Sequence, residues 1–274
     1  MSTRLVASTD ALKPVAMVPL AVVAVVLMAL AVVFLDGGTL NLDGFLAVQS
    51  FTRAAPDTWW AMLTVSGTGV VAFALLSPTL AWQPRWFAAA LAAASLAGLY
   101  ANGMKRIFAL PRPASVLDSS QLHVIGETLK ANSFPSGHAV TAFTLAALLV
   151  LASRKPMQTA LWAVPVAVLI AFSRIAVGAH WPADIAAGAA GGWVCGALGV
   201  MIVARWRFWN MAVGVRVMGV IAIGVGVSLF IVDLGYPLAV PLQYVAGVIA
   251  IASGIVAIAR PRLDPMLPRR ASYR

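Results

Sequence analysis

The chain has 274 residues, 61% of them apolar and 10% charged, with a mean hydropathy of +0.92 and a formal net charge of +10. Soluble domains run about 45–50% apolar and about 25% charged, so this composition excludes a water-soluble globule and implies an integral membrane protein. The positive charge does not imply nucleic acid, because the cations are dispersed between apolar stretches instead of gathering on one soluble face.

Crossing a hydrocarbon core of ~30 Å takes about 20 apolar residues. Eight such stretches follow in order, at 15–35, 59–82, 86–107, 136–153, 158–177, 182–204, 211–232 and 238–259. They predict an all-α polytopic bundle. The first is longer than the apolar core of a signal peptide, and no small-residue cleavage site comes before Asp36-Gly37-Gly38, so it reads as a retained anchor. The 36–58 connector mixes Leu, Phe and Val with Asp and reads as lying along the interface. The longest hydrophilic connector, 108–135, carries Asp118, Ser119, Ser120, Gln121, His123, Glu127 and Lys130, and suits either a solvated connection or a lid over substrate. In the sixth stretch Gly188, Gly192 and Gly196 recur every four residues, a spacing that lets a second helix approach closely within the protomer. Trp59, Trp60, Trp82, Trp86, Trp181, Trp206 and Trp209 lie near span ends, as interfacial anchors do. The single cysteine, Cys195, sits in an apolar run and reads as a small buried hydrophobe. No Cys/His cluster suggests zinc.

Cationic loops mark the cytoplasmic face. With the N-terminus inside, 13 of the 19 Lys and Arg residues fall on that side, joined only by Asp10 and Asp264. They are Arg4, Lys13, Arg85, Arg154, Lys155, Arg205, Arg207, Arg216 and the tail residues Arg260, Arg262, Arg269, Arg270 and Arg274. The opposite side holds six cations against seven acids. Eight spans with both termini cytoplasmic follow, in a bacterial inner membrane by composition.

In that arrangement three polar clusters share the outer side: Lys105 to Pro113, Pro135-Ser136-Gly137-His138, and Ser173-Arg174 with His180 and Asp184. Ionisable groups beside apolar spans are costly and mark function. Ser136 is a good N-cap for the fourth span, whose free N–H groups and dipole favour an anion, and Gly137 lets backbone approach a ligand. Pro182 repeats the device at the head of the sixth span. Lys105, Arg112 and Arg174 supply the charge that a phosphoryl group needs on its oxygens. His180 and Asp184, four residues apart, meet across one helical turn. The carboxylate would fix the imidazole tautomer, leaving the other nitrogen to attack. His138 would protonate the leaving oxygen. His123 lacks comparable company and reads as a loop residue.

Lys-x6-Arg-Pro, Pro-Ser-Gly-His and Ser-Arg-x5-His-x3-Asp, in that order over Lys105 to Asp184, resemble the tripartite signature of the type 2 phosphatidic acid phosphatase superfamily, whose soluble relatives are the vanadium haloperoxidases. The resemblance implies phosphoryl binding by Lys105, Arg112, Ser136, Gly137 and Arg174, a nucleophilic His180 partnered by Asp184, and His138 as the acid. It implies no metal or other cofactor. It also implies a six-helix core, placed at 1–210, with 211–274 as two added spans and a basic tail. The expected activity is hydrolysis of a phosphomonoester or diphosphate on a lipid head group, with undecaprenyl diphosphate first, then phosphatidylglycerophosphate, phosphatidic acid and lipid A phosphates. A lipid-to-lipid phosphotransferase would use the same site. A transporter is disfavoured, because the charges gather at one surface instead of lining a path. The sequence leaves the oligomeric state open.

Overall fold

A computed structural model describes residues 14–36 and 39–261, and these form helices and turns without strands. Arg4, Asp10, Lys13, Arg262, Asp264, Arg269, Arg270 and Arg274, used above for orientation, lie outside the described residues, as does the side chain of Arg207.

Each of the eight apolar stretches is helical. The first is α1 (Pro14–Asp36). The 36–58 connector holds a helix of its own, α2 (Leu40–Thr52), set at 99° to the preceding one. The second stretch is not one helix. It breaks by 77° between α3 (Asp57–Ser66) and α4 (Gly69–Leu76), which runs on through a 3-10 turn, Ser77–Ala81. Extended backbone at Thr68 makes the break, and Gly67 has no room to be anything else: a Cβ there would lie 2.6 Å from the Ile170 side chain.

Four helices follow in the centre of the chain. They are α5 (Pro84–Phe108), α7 (Gly137–Ala152), α8 (Pro156–Ala176) and α9 (Pro182–Arg205), with a single turn, α6 (Pro113–Val116), inside the long connector. Proline opens α5, α8 and α9, where its missing N–H is no loss. A hairpin of α10 (Ala212–Ser228) and α11 (Val240–Ala259) completes the described chain. Among the described residues four helices are long and apolar enough to cross a membrane, and the two bent pairs, each taken as one span, raise that to six. Gly137–Ala152 and Ala212–Ser228 are shorter.

Helices α7 and α9 form the central pair: α5 packs on both, α8 mainly on α7, and α1 covers α9. The contacts are made largely by alanine: Ala139, Ala142, Ala146 and Ala147 of α7 meet Ala163, Ala167 and Ala171 of α8 and Ala189 and Ala197 of α9. In lipid, helix association depends on close packing more than on the hydrophobic effect, so small residues are what the seam requires. The glycine stripe is the extreme case. A Cβ at Gly188, Gly192 or Gly196 would sit 2.6, 2.3 or 2.4 Å from the carbonyl oxygens of Ser136, Val140 and Thr144 in α7. Gly192→Ala is therefore expected to destabilise the protein by about 1–3 kcal/mol. Gly103→Ala, in open space on α5, is expected to be stabilising by about 0.5–1 kcal/mol. Thermal unfolding in detergent checks both, and equal midpoints for the two variants would contradict the close seam.

The α10–α11 hairpin packs on the broken α3–α4 segment and its 3-10 turn, through Leu229, Tyr236, Ala239, Ala246 and Ala250 among others.

Candidate active site

The site is assembled where the N-termini of α7 and α9 meet the C-termini of α5 and α8. Ser136 caps α7: its Oγ accepts from Ala139 N at 3.5 Å, and its own N–H donates to Asp184 O at 3.0 Å. The first intrahelical bond runs from Val140 N to Ser136 O, so the N–H groups of Gly137 and His138 are left pointing out of the helix end. The Lys105 ammonium, from the last turn of α5, lies 4.0 Å from where a Gly137 Cβ would be.

His180 sits in the 177–181 connection just before α9 and is 1% exposed. Its Nδ1 is 3.1 Å from Asp184 Oδ2. The same oxygen accepts from Trp181 N at 2.9 Å and from the Ser133 hydroxyl. An ionised carboxylate only accepts, so Nδ1 carries the proton and Nε2 presents its lone pair. That lone pair faces Arg112 Nη1 at 3.2 Å. Burial first, then Arg112, Arg174, Lys105 and His138, hold the His180 imidazole well below its ordinary 6.5. Burial and these four basic neighbours outweigh the adjacent carboxylate, and the ring is neutral at pH 7.

The three cations are held differently. Arg112, 6% exposed, donates through Nε to Ala131 O at 2.8 Å, through Nη1 to Ala179 O at 3.0 Å and through Nη2 to Asn132 O at 3.3 Å. Its guanidinium thus clamps the connector, in which Asn132 takes a left-handed φ of 56°, as well as facing His180. Arg174 is 2% exposed. Its Nη1 donates to Thr64 Oγ1 and Tyr236 Oη, both at 2.6 Å, while its Nε is buried with no partner among the described residues. His138, on the first turn of α7, packs against Gly67, and its Nε2 likewise has no partner among the described residues. An orphaned buried donor is costly, and an anion placed between Arg174 and His180 relieves the cost. Lys105, Arg112 and Arg174 against the one carboxylate of Asp184 leave the site with two surplus positive charges, which matches a phosphate dianion.

Two sequence expectations are altered. The α9 N-terminus is not open to a ligand as the α7 N-terminus is, because Asn41 Oδ1 of α2 accepts from Ala183 N at 3.1 Å and Asp184 takes Trp181 N. His123 does have company: its Nε2 pairs with Asp57 Oδ1 at 2.9 Å, and its N–H donates to Gln49 Oε1 at 2.8 Å. Further bonds tie the 109–135 connector down, from Ile125 N to Val177 O and from Glu127 N to Gly235 O. Ser133, Thr64, Gly67 and Tyr236 touch the site residues, Asn41 bonds the α9 N-terminus beside them, and all five went unmarked in the sequence. Only Ser133, two residues before the Pro135 cluster, carried a local signal.

Beside the first turns of α9 lies an apolar crevice of about 260 Å³, lined by Phe34, Phe143, Phe172, Ile175, Pro182 and Ile185 among others.

Comparison with known proteins gives three matches. The model of the PAP2 superfamily matches residues 83–211. An undecaprenyl-diphosphatase of Sulfolobus acidocaldarius is 45% identical over 65 residues, which are 23% of this chain. The match spans 30% of the length of that curated relative. The crystal structure of LpxE from Aquifex aeolicus superposes with a TM-score of 0.51 at 29% identity, covering 58% of this chain and 94% of that one.

Proposed function

Because the chain belongs, through residues 83–211, to the PAP2 superfamily, we propose that it is a membrane lipid phosphatase working through a phospho-histidine. One observation carries the proposal: a neutral, buried His180, proton fixed on Nδ1 by Asp184, with its Nε2 lone pair turned toward Arg112.

The substrate phosphoryl group binds among Lys105, Arg112, Arg174 and, at the Ser136-capped start of α7, the open N–H groups of Gly137 and His138. His180 Nε2 forms a bond to phosphorus as the bond from phosphorus to the leaving oxygen breaks. His138, as imidazolium, gives its proton to that departing oxygen. A bound dianion supplies the counter-charge that an imidazolium needs there. Asp184 stabilises the positive charge that develops on His180. Water then attacks the phospho-histidine, losing its proton to the now neutral His138, and phosphate and free His180 are regenerated. The phosphoryl oxygens keep their cationic partners throughout, which is most of what such a transfer asks of a protein.

The substrate is a phosphomonoester or diphosphate carried on a lipid, undecaprenyl diphosphate first. The apolar crevice beside the site and the similarity to the Sulfolobus undecaprenyl-diphosphatase support that choice. Eight spans, cytoplasmic termini and an outward-facing site are supported by the eight apolar helical segments and by the distribution of Lys and Arg. The test is phosphate release from a panel of lipid phosphates in detergent with EDTA present. Release from undecaprenyl diphosphate is expected; transfer of label to an added lipid acceptor with no free phosphate would replace hydrolase by phosphotransferase.

The pH profile gives a second expectation. A pKa held below 6.5 means that His180 stays neutral, and nucleophilic, as pH falls to that value. kcat/KM reports free-enzyme ionisations, so, corrected for the substrate's own titration, it loses nothing to His180 between about pH 8 and about pH 6.5. A free-enzyme limb at or above the ordinary histidine value that disappears on removing Asp184 would contradict this.

A further inference from the structure

Tyr236 lies outside the matched 83–211 region, in the connection between α10 and α11, yet its hydroxyl reaches the guanidinium of Arg174. It is 7% exposed, and its Oη is 2.6 Å from Arg174 Nη1. Its ring centroid is 5.8 Å from the guanidinium carbon. Thr64 Oγ1 of α3, fully buried, takes the other Nη1 proton at 2.6 Å. A guanidinium nitrogen of this kind has two protons, so Nη1 is fully engaged and cannot serve a ligand. The opposite edge, with the unpartnered Nε, is what remains. Two contacts on Nη1 and a ring against the plane fix the direction in which that edge points.

The hairpin connection is itself clamped to the site. Glu127 N donates to Gly235 O at 3.1 Å, and Gly235 N donates to Asp233 Oδ1 at 2.8 Å. Gly126, at φ +84°, faces Gly235 and Tyr236 so closely that a Cβ would lie 2.5 Å from Gly235 O and 2.6 Å from the Tyr236 ring. The connector that carries Arg112 and the connection that carries Tyr236 thus meet backbone to backbone, and the chain has conformational freedom only glycine allows at the point of contact.

We propose that Tyr236 is a positioning residue for phosphoryl binding, and that the α10–α11 hairpin is a working part of the active site: Tyr236 and Thr64 together hold Arg174 so that its Nε edge forms a side-on fork for two phosphate oxygens. Geometry of this kind is what distinguishes arginine from a point charge. The inference rests on the assignment of Arg174 as a phosphoryl ligand.

The experiment is a double-mutant cycle of Tyr236→Phe and Arg174→Ala in the full chain, read as vanadate inhibition and as kcat/KM. Tyr236→Phe keeps the ring against Gly126 and removes only the hydroxyl. It is expected to weaken vanadate inhibition and lower kcat/KM by about 10-fold each, in a protein that still unfolds cooperatively. Arg174→Ala is expected to cost at least about 100-fold, and adding Tyr236→Phe to it should cost nothing more, since residues acting through one another are not additive. Thr64→Val should reproduce the Tyr236→Phe effect. Wild-type vanadate affinity in Tyr236→Phe, or a tyrosine effect that persists undiminished in the Arg174→Ala background, overturns the inference while leaving the phosphatase intact. Wild-type vanadate affinity in Arg174→Ala overturns the phosphoryl-ligand assignment, and the inference with it.

Discussion

Replacing His180 with alanine is expected to lower kcat for lipid phosphate hydrolysis by about 10⁴-fold or more while the protein still accumulates, folded, in the membrane. The size follows from what is lost. The Nε2 lone pair is the group that bonds to phosphorus, and no second nucleophile stands beside it: Asp184 Oδ2 is taken up by Ser133 and Trp181 N, and the His138 ring belongs to a separate turn. The fold is expected to survive because the neighbours stay satisfied. Asp184 keeps two of its three donors, and Arg112 keeps the carbonyls of Ala131, Asn132 and Ala179. Initial-rate phosphate release, beside a thermal unfolding curve of the same preparation, checks both halves. Turnover near the wild-type value would remove the proposed nucleophile.

Asp184→Asn should be nearly as damaging, about 10²–10⁴-fold in kcat, for a different reason. The carboxylate gathers three donors on Oδ2 and in doing so keeps the His180 proton on Nδ1. An amide of the same shape removes the charge that stabilises the imidazolium, and an amide N–H turned toward the ring favours the opposite tautomer, with the lone pair away from the substrate. Because binding depends on Lys105, Arg112, Arg174 and the α7 N-terminus, KM should change little. A variant whose loss fell in KM alone would place Asp184 in substrate binding instead of in the chemistry.

Comparing sequence and structure, what was legible was local. The apolar stretches were visible because a bilayer forces every crossing to be long and greasy. The His180–Asp184 pair was visible because one helical turn fixes it, and the Ser136 cap because its neighbours in the chain are its partners. What was hidden depends on contacts across the fold. Thr64 and Tyr236 stand 110 and 62 residues from the Arg174 they hold, and Asn41 stands 142 from the helix end it caps. No periodicity announces such partners. Arg112 is legible in the sequence as phosphoryl-binding charge, but three of its bonds go to the backbone carbonyls of Ala131, Asn132 and Ala179, acceptors that every residue owns and that leave no mark in a sequence. The bend at Gly67–Thr68 escaped because its apolar flanks read straight through, and the contacts that crowd Gly67, from Ile170 and His138, are tertiary. Helix α2 escaped for a related reason: at 13 residues it is too short to span and too mixed to stand out.

The most direct test of the account is to trap the intermediate. Lipid phosphate labelled on its terminal phosphoryl group would be mixed with enzyme, quenched in alkaline detergent within one turnover, and the protein mapped for label. Acid-labile, alkali-stable label on the peptide containing His180, absent from His180→Ala and still formed when EDTA is present, is the predicted result. Rapid release of phosphate with no labelled protein at any time within the turnover would mean that water attacks the lipid phosphate directly, and would contradict a histidine nucleophile.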